Sequence, residues 1–392
     1  MASSAKKVLV PVANGTEPLE AVVMIYVLRR SGAEVTVASV EKQLQVDACH
    51  GVKFVADSLL SDCSDAVFDL IMLPGGLPGG ETLKNCGVLE NMVKKQDAEG
   101  RLNGAICCAP ALALGSWGLL KGRKATCYPV FMEQLASCAT AVESRVVIDG
   151  KIVTSRGPGT TLEFSVSLVE QLYGKEKANE AVERSLLRPN PGEDYTFIEL
   201  NQTKWTFDGS TPQVILPIAD GSEETEAVGL IDILRRAKAK VVVAAVGNSL
   251  EVVGSWKVKL VADVLLADAE ILTYDLIVLP GGLVGAQTFA SCGKLVNMLK
   301  KQAESNKPYG AICAPSALVL EPHGLLKGKK ATTNPSFCEK LSDKSHIEYR
   351  VVVDGNLVTS RGPGTTMEFA LAIIEKFFGR EKGLEIAKAT LL

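Results

Sequence analysis

Short, continuously apolar runs alternate with longer amphipathic stretches along the chain. Runs without apolar–polar alternation predict strands covered on both faces, and they occupy residues 7–12, 34–40, 69–73 and 104–107. Stretches with helical spacing occupy residues 17–30, 81–99 and 160–173, and a further helix starts within 109–114. Strands that alternate with helices predict an α/β domain in which a parallel sheet lies between two helical layers.

One segment departs from this alternation. Residues 145–154 hold two apolar runs on either side of Asp149-Gly150, which predicts a β-hairpin with a tight turn. The helix predicted over 160–173 follows this hairpin and closes the domain.

The whole pattern occurs twice. At one constant spacing, Glu20, Gly75-Gly76 and Cys107 match Glu226, Gly281-Gly282 and Cys313. The repeat covers nearly all of each half, so it indicates two complete domains rather than a short solenoid repeat. We predict domains at residues 5–188 and 213–392, joined by a linker at 189–212 that is rich in turn-forming residues.

The predicted linker also contains large apolar side chains. Residues 195–198 and 203–207 could form a strand or hairpin that packs across the domains. Trp205 and Phe207 argue against a flexible segment, because aromatic side chains of this size are usually buried to a large extent.

Each copy places a cysteine at the end of a buried run. The sequences GAICCAPAL at 104–112 and GAICAPSAL at 310–318 predict a sharp strand-to-helix turn at Cys107 and Cys313. A thiol there lies near unpaired N–H groups and the positive end of a helix dipole, so we expect a depressed thiol pKa. A small buried cysteine is the simpler alternative, but the repetition favours a reactive thiol.

Two further segments end at the same predicted sheet edge, where ligands bind in parallel α/β folds. The L-P-G-G sequences at 73–76 and 279–282 could present backbone N–H groups to a substrate oxygen, or could simply form a tight turn. Glu20 and Glu226 could take part in the chemistry, or could match the helix dipole. No G-x-x-x-x-G-K-[ST] phosphate loop occurs.

Composition narrows the class of function. The 392 residues are 47% hydrophobic and 22% charged, which is typical of soluble globular proteins. A net charge of −3 predicts no strong attraction for nucleic acid or anionic membranes. The three histidines, His50, His323 and His346, are scattered and no C-x-x-C pair occurs, so we expect no metal site.

Cysteine usage bears on the compartment. Of the ten cysteines, seven lie in the first half and three in the second, whereas a disulfide framework would give two similar domains similar sets. We therefore expect reduced thiols and an intracellular protein. The N-terminus has no apolar signal core and no stretch is long enough to span a bilayer, so the expected location is the cytosol.

Taken together, the motifs resemble those of one family. The set G-[TSA]-E-x-x-E, L-P-G-G, A-I-C at a strand–helix turn and T-S-R-G-P-G-T-[TS]-x-E-F is similar to the motifs of the DJ-1/PfpI family, and the last is complete at 154–164 and 359–369. The resemblance covers residues 7–188 and 213–392. It implies two tandem flavodoxin-like domains of the class I glutamine amidotransferase type, each with three α/β/α layers.

The resemblance also bears on assembly. A tandem chain of this kind resembles the plant members of the family. Because single-domain members form homodimers, the resemblance implies an intramolecular pseudo-dimer, and it allows further homo-oligomers.

The resemblance assigns roles residue by residue. The nucleophilic, oxidation-sensitive cysteine corresponds to Cys107 and Cys313, and the glutamate that bonds to it corresponds to Glu20 and Glu226. The substrate- and oxyanion-binding groups correspond to Glu17, Gly75 and Gly76 in the first domain and to Glu223, Gly281 and Gly282 in the second. The motif arginines, Arg156 and Arg361, are expected to be structural or to hold an anion.

The activity that the resemblance implies is of the glyoxalase III type: methylglyoxal is converted to lactate, and glyoxal to glycolate, without glutathione, metal or cofactor. The thiolate attacks the aldehyde, and a glutamate of raised pKa moves a proton between two carbons through an enediol. Backbone N–H groups bind the oxyanion. The expected partners are small 2-oxoaldehydes, and the expected compartments are the cytosol and the nucleus.

The chain departs from the family at the histidine near the cysteine. The T-H-P motif of the family is T-C-Y-P at 126–129 and T-N-P at 333–335. The residues after the nucleophiles are Cys108 and Ala314 rather than histidine, which argues against peptidase chemistry. In the first domain Cys108 and Cys127 could resolve an oxidised Cys107, whereas the second domain has neither.

These departures favour an alternative of another class. The chain would then be a stress-response redox sensor or chaperone that binds antioxidant proteins, with oxidation of the elbow cysteine as its switch. Loss of turnover in cysteine and glutamate variants would indicate the enzyme, whereas peroxide-dependent partner binding without turnover would indicate the sensor.

Overall fold

The computed structural model describes residues 5–188, 194–207 and 209–392. Its internal contacts divide the chain into two compact units, Met1–Ser185 with Leu391 and Leu186–Thr390 with Leu392. Each unit is an α/β domain, so the predicted class and the tandem arrangement of two flavodoxin-like domains are confirmed. No helix in the described residues is both long and apolar enough to cross a membrane.

The main sheet of the first unit has seven strands among the described residues. From one edge to the other they are Val146–Asp149, Ile152–Ser155, Leu102–Ile106, Leu70–Leu73, Lys7–Val12, Glu34–Ser39 and Ser58–Leu59. All neighbouring pairs are parallel except the first, which is the hairpin predicted around Asp149-Gly150. Shorter pairs are Gln45–Asp47 with Lys53–Val55 and Lys124–Ala125 with Thr140–Ala141.

Along the chain, the helices of the first unit either connect these strands or follow the last of them. They are Pro18–Arg30, Gly79–Lys84, Gly87–Ala98, Met132–Ala136, Thr161–Tyr173 and Lys175–Ser185, with a π-helical turn at Pro110–Gly115 and 3₁₀ turns at Cys49–Gly51, Leu60–Cys63, Pro129–Phe131 and Pro158–Thr160. The single helix predicted over 81–99 is wrong, because Cys86 has an extended backbone and separates two helices. The last helix was not predicted.

The second unit repeats this architecture with one more strand. Across its main sheet the described strands are Ile198–Leu200, Val351–Asp354, Leu357–Ser360, Tyr309–Ile312, Leu276–Leu279, Gln213–Ile218, Lys240–Ala245 and Val264–Leu265. Glu251–Val253 and Lys259–Val261 form an antiparallel pair. The helices are Glu224–Arg236, Leu266–Ala269, Leu283–Ser291, Gly293–Glu304, Thr366–Phe378 and Arg380–Thr390, with a π-helical turn at Ser316–Leu320 and 3₁₀ turns at Pro335–Lys340 and Pro363–Thr365.

The described part of the predicted linker is built into the second unit. Ile198–Leu200 pairs in parallel with Val351–Asp354 at the edge of the sheet. The Trp205 indole N–H donates to the Gly355 carbonyl oxygen at 2.9 Å, and the indole is almost fully buried. The strand lies within this unit at Ile198–Leu200, whereas the predicted stretches 195–198 and 203–207 are not in strands apart from Ile198. Residues 189–193 and 208 of the predicted linker lie outside the described residues.

Candidate active site

Each candidate nucleophile directly follows a central strand. Leu102–Ile106 ends before Cys107, and Tyr309–Ile312 ends before Cys313. Both cysteines have a left-handed backbone, with φ of 63° and 67°, a conformation that is costly for residues other than glycine. Such a conformation turns the chain sharply at the end of the sheet, and both cysteines remain partly exposed.

The loop of the long T-S-R-G-P-G-T motif holds this turn in place. The Cys107 N–H donates to the Ser155 carbonyl oxygen at 3.1 Å, and the Cys313 N–H donates to that of Ser360 at 2.9 Å. The Thr160 hydroxyl accepts the Gly157 N–H at 3.0 Å and fixes the loop internally. The motif thus supports the elbow from the neighbouring strand, which is a structural role.

Glu20 reaches the thiol from the first turn of Pro18–Arg30. Its side chain is fully buried, and its Oε2 accepts the Gly75 N–H at 2.8 Å. In the second domain Glu226 accepts the Gly281 N–H at 2.6 Å. A short connection leads from the first strand of each domain into the helix, so Glu20 and Glu226 both lie in the first helical turn, beside the carboxyl end of the sheet.

The backbone N–H groups of the two glycines in each L-P-G-G turn have different partners. A Cβ atom on Gly75 would lie 2.5 Å from Cys107 Cβ and 2.8 Å from Glu20 Oε2, so only glycine fits between them. The Gly75 N–H is engaged by Glu20, whereas the Gly76 N–H donates to the Cys107 sulfur. Gly76 is therefore the glycine of this pair whose N–H points at the reacting atom, and Gly282 matches it at Cys313.

Glu17 and Glu223 begin the helices that carry the buried glutamates. The Glu17 side chain accepts the Leu19 N–H at 3.3 Å, and the Glu223 side chain accepts the Thr225 and Glu226 N–H groups at 3.2 and 2.9 Å. Both are N-caps in this structure. Their assignment to substrate binding stays a prediction.

The electrostatic environment disfavours charge on both partners of the Cys–Glu pair. Burial, followed by the Cys107 and Glu17 charges, raises the pKa of the Glu20 carboxyl group well above its ordinary value. Interaction with the Cys108 thiol and burial raise the pKa of the Cys107 thiol, and the Gly76 N–H lowers it only in part. Burial and Glu226 likewise raise the pKa of Cys313.

The expectation of a depressed thiol pKa is therefore wrong. The sequence indicated the strand-to-helix turn and its N–H groups, but the helix that follows is only a short π-helical turn at Pro110–Gly115. At Cys107, the Cys108 thiol, burial of the sulfur and the Glu17 charge outweigh those N–H groups. The raised pKa expected for the glutamate is supported in the first domain by the same burial.

The second domain carries an additional buried carboxyl group. Burial, followed by the Glu224 charge, raises the pKa of Glu223 to about 7. Glu224 itself is buried and accepts the Trp256 N–H at 3.0 Å and the Ser255 hydroxyl at 3.1 Å. The first domain has Pro18 at this position, so its turn at Cys49–Gly51 lacks the matching carboxylate.

The two sites differ most at the position of the family histidine. Tyr128 is anchored to the elbow by its N–H, which donates to the Cys107 carbonyl oxygen at 2.8 Å. Asn334 caps a short turn through its Oδ1, which accepts the Ser336 N–H at 3.1 Å. The preceding Thr333 hydroxyl donates to the Cys313 carbonyl oxygen at 2.7 Å. These residues therefore act mainly on the backbone of the elbow.

The motif arginines both donate to backbone carbonyl oxygens, and a role in holding an anion stays a prediction. The Arg156 Nε donates to the Cys127 carbonyl oxygen at 3.2 Å, and Arg361 Nη1 donates to that of Glu348 at 3.3 Å. Sequence reasoning missed a second pair, Arg145 and Arg350. Arg145 donates to Glu163 and Arg350 donates to Glu368, each at 2.7 Å, and both glutamates belong to the long motif. The occurrence of this arginine in both halves was the sequence signal that could have revealed the pair.

One histidine also lies closer to the first site than its sequence position suggested. His50, in the turn Cys49–Gly51, has a ring nitrogen within 4.8 Å of a Glu17 carboxylate oxygen. Sequence reasoning missed this approach because the two residues are far apart along the chain and meet only in the folded structure. In the second domain the matching position is Trp256.

Known proteins share both the sequence and the fold. The DJ-1/PfpI family model matches residues 6–171 and 212–376. Protein DJ-1 homolog B of Arabidopsis thaliana is 76% identical over 392 residues, which cover 100% of this chain and 89% of that protein. Glutathione-independent glyoxalase DJR-1.2 of Caenorhabditis elegans is 36% identical over 173 residues, 44% of this chain and 89% of that protein.

Solved structures match one domain at a time. Oxidized DJ-1 of Toxoplasma gondii has 46% sequence identity and a TM-score of 0.45, covering 46% of this chain and 98% of that one. DJ-1beta of Drosophila melanogaster has 36% identity and a TM-score of 0.46, covering 47% and 99%.

Proposed function

The chain belongs to the DJ-1/PfpI family in both halves, and we propose that each domain converts 2-oxoaldehydes to 2-hydroxy acids without glutathione, with methylglyoxal and glyoxal as the substrates. The observation that carries the proposal is the pairing, in both domains, of a partly exposed elbow cysteine with a buried glutamate at the same glycine turn. A relative that is named a glutathione-independent glyoxalase supports it.

The first proposed step adds the thiol to the aldehyde. The Cys107 sulfur forms a bond to the aldehyde carbon, and the thiol proton passes through Glu20 to the aldehyde oxygen, giving a hemithioacetal. The Gly76 N–H, which contacts the sulfur, stabilises charge that develops on it or on the neighbouring oxygen. The environment disfavours charge on both groups, so the step suits a relay in which Glu20 gives a proton to the aldehyde oxygen as it accepts the thiol proton.

The second proposed step moves a proton between carbons. Glu20 takes the proton from the carbon bonded to sulfur and returns it to the adjacent carbon through an enediol, so the hemithioacetal becomes a 2-hydroxy thioester. Water then cleaves the thioester, releasing lactate and the free thiol. The raised pKa of Glu20 matches a group that must both accept and donate a proton near neutral pH.

Turnover of methylglyoxal by the full chain tests the proposal. We expect lactate in excess of enzyme from the wild type and none from Cys107→Ser/Cys313→Ser. Glu20→Gln/Glu226→Gln keeps an acceptor for the glycine N–H groups but cannot shuttle a proton, and it should lower the rate about 10²–10⁴-fold. The exposed Glu81→Gln variant is the matched control for a lost carboxylate and should retain the wild-type rate.

The outcome that contradicts an enzyme is stoichiometric aldehyde loss without lactate. If lactate is formed, the single variants Cys107→Ser and Cys313→Ser show which domain produces it, because each leaves one Cys–Glu pair intact. Equal loss of lactate in the glutamine variant and in the Glu81→Gln control would also contradict the assigned proton shuttle.

A redox sensor is the second candidate, and one observation favours it. Tyr128 and Asn334 occupy the position of the family histidine, so turnover lacks an imidazole general acid–base there, while the partly exposed Cys107 and Cys313 thiols stay accessible to peroxide. In this candidate function, oxidation of the elbow cysteine changes the affinity for antioxidant proteins. Peroxide-dependent binding by a chain that produces no lactate would support it.

A further inference from the structure

The first domain has two adjacent thiols at its elbow, and the second domain has one. Cys107 is followed by Cys108, whereas Cys313 is followed by Ala314. The two sulfurs lie against the same glycine: the Cys108 Sγ–H donates to the Gly76 carbonyl oxygen at 3.5 Å, and the Gly76 N–H donates to the Cys107 sulfur. The Cys108 thiol also interacts directly with that of Cys107.

We propose that Cys107 and Cys108 form a dithiol site for trivalent arsenicals, present in the first domain and absent from the second. Sulfur donors bind soft, thiophilic centres, and two donors on one rigid turn bind such a centre far better than one, because the second bond is intramolecular. The site goes beyond the proposed aldehyde chemistry and does not depend on it.

The geometry favours a bridging atom over a direct disulfide. Adjacent Cα atoms are about 3.8 Å apart across a trans peptide, which is shorter than the roughly 4.4–6.8 Å of ordinary disulfides. A direct bond would therefore require the elbow backbone to move away from its positive φ at Cys107. An arsenic atom bonded to both sulfurs leaves them apart and leaves the backbone where it is.

The reaction balances without any oxidant. With an organic arsenic(III) oxide, each S–H bond is replaced by an S–As bond, and the two protons leave with the arsenic-bound oxygen as one water molecule. Arsenic stays trivalent and both sulfurs keep their oxidation state. Cys107 is partly exposed and forms the first bond, while Cys108, only 1% exposed, closes the ring from the inner side.

Two further cysteines lie near this turn: Cys49, whose Sγ–H donates to the Gly15 carbonyl oxygen at 3.1 Å, and Cys127. The Cys127 Sγ lies 3.5 Å from the Tyr128 carbonyl oxygen and 3.6 Å from Met132 Sδ. It therefore serves as a control for thiols that are near the elbow but outside the pair.

The test is the stoichiometry of phenylarsine oxide on the full chain, measured by intact mass spectrometry in the presence of excess glutathione, which competes with single thiols. We expect one adduct per chain for the wild type and for Cys127→Ala. Cys108→Ala, which gives the first domain the residue of the second, should lose the adduct. Ala314→Cys should gain a second one.

Retention of the adduct in Cys108→Ala, or its loss in Cys127→Ala, would overturn the assignment. Circular dichroism of each variant shows that a lost adduct does not reflect unfolding, and Cys108→Ala is conservative because alanine occupies this position in the second domain. Adduct formation is read without any turnover, so this result and that of the methylglyoxal assay are independent.

Discussion

The Cys107 thiol and the Glu20 carboxyl group are surrounded by groups that disfavour their charged forms. Glu20 is fully buried and its pKa is raised, first by burial and then by the Cys107 charge. The pKa of Cys107 is raised in turn, although the Gly76 N–H partly offsets the effect. At the residue scale the site therefore disfavours both the thiolate and the carboxylate, which suits a proton transfer between the two groups.

This arrangement predicts slow alkylation of the elbow thiols at neutral pH. Because the pKa of Cys107 and Cys313 is raised, the iodoacetamide rate at both should still increase above pH ~8.5, where an unperturbed thiol is already half ionised. Peptide mapping after timed alkylation at a series of pH values measures each rate, with glutathione as the reference thiol. A midpoint below that of glutathione would contradict the raised pKa.

The space at Gly75 gives a second prediction at this scale. In Gly75→Ala the new Cβ would lie 2.5 Å from Cys107 Cβ, so the elbow must shift, and the variant should lose ~1–3 kcal/mol of unfolding free energy. Gly87→Ala is the control, since a Cβ there meets no atom within 4 Å. Denaturant unfolding of both variants measures the difference, and equal stability would refute the steric argument.

Among the elements, the helix Glu224–Arg236 begins differently from its counterpart Pro18–Arg30. Its N-cap Glu223 and its first residue Glu224 are both buried carboxyl groups, and the Glu224 charge contributes to raising the pKa of Glu223 to about 7. The helix Pro18–Arg30 has proline at the matching position and avoids this repulsion. The helix start in the second domain is therefore sensitive to pH.

A group whose pKa is raised in the folded state binds its proton more tightly there, so its stabilising contribution is complete at low pH and is lost as pH rises. For Glu223 the loss runs from its ordinary value of 4.5 to about 7 and amounts to about 3 kcal/mol at most. Glu223→Gln removes the titration but keeps a side-chain acceptor at the cap.

Thermal unfolding at pH 5.0 and pH 7.5 checks this expectation. The wild type should lose more stability between the two pH values than Glu223→Gln, even if the variant is less stable overall. Glu81→Gln, on an exposed helix position, should behave like the wild type. Parallel pH profiles for wild type and Glu223→Gln would rule out Glu223 as the titrating group.

At the scale of the whole molecule, one scaffold is used twice with different residues around the thiol. Cys108, Cys127 and Tyr128 in the first domain stand where Ala314, Thr333 and Asn334 stand in the second. The hydrogen bonds that build the elbow are kept, since they involve the backbone and the long motif. Around the thiol, the two copies therefore differ in side chains that tune reactivity, and the two sites should differ in chemistry more than in backbone structure.

The segment 194–207 completes the second unit, which has an extra edge strand. In Trp205→Ala the indole is lost from a buried position where it bonds to Gly355 and packs edge-to-face on Phe377 at 5.2 Å between ring centroids. The expected cost is ~3–5 kcal/mol, with faster hydrogen exchange in Val351–Asp354. Tyr349→Ala, at an aromatic ring that is 45% exposed, is the control. Unchanged exchange in Trp205→Ala would mean that the segment does not hold this edge.

The sequence alone determined the α/β class, the duplication and the positions of the strand-ending motifs. It could do so because apolar runs, turn residues and repeats are local features that need no knowledge of distant packing. The elements around Lys7–Val12 and Glu34–Ser39 were predicted to within a residue for this reason. The pattern missed the break at Cys86, the last helix of the first unit and several short elements, such as the strand pair Gln45–Asp47 with Lys53–Val55 and the helix Met132–Ala136.

The tertiary structure alone decided the chemistry of the site. It set the direction of the thiol pKa, because desolvation depends on atoms from several strands and helices that no local pattern reveals. It directs the Gly75 N–H to the Glu20 carboxyl group and the Gly76 N–H to the Cys107 sulfur. These partners are far apart in sequence, so the sequence alone could not assign them. It also built the Trp205 segment into a sheet edge, since strand partners are chosen by long-range packing rather than by propensity.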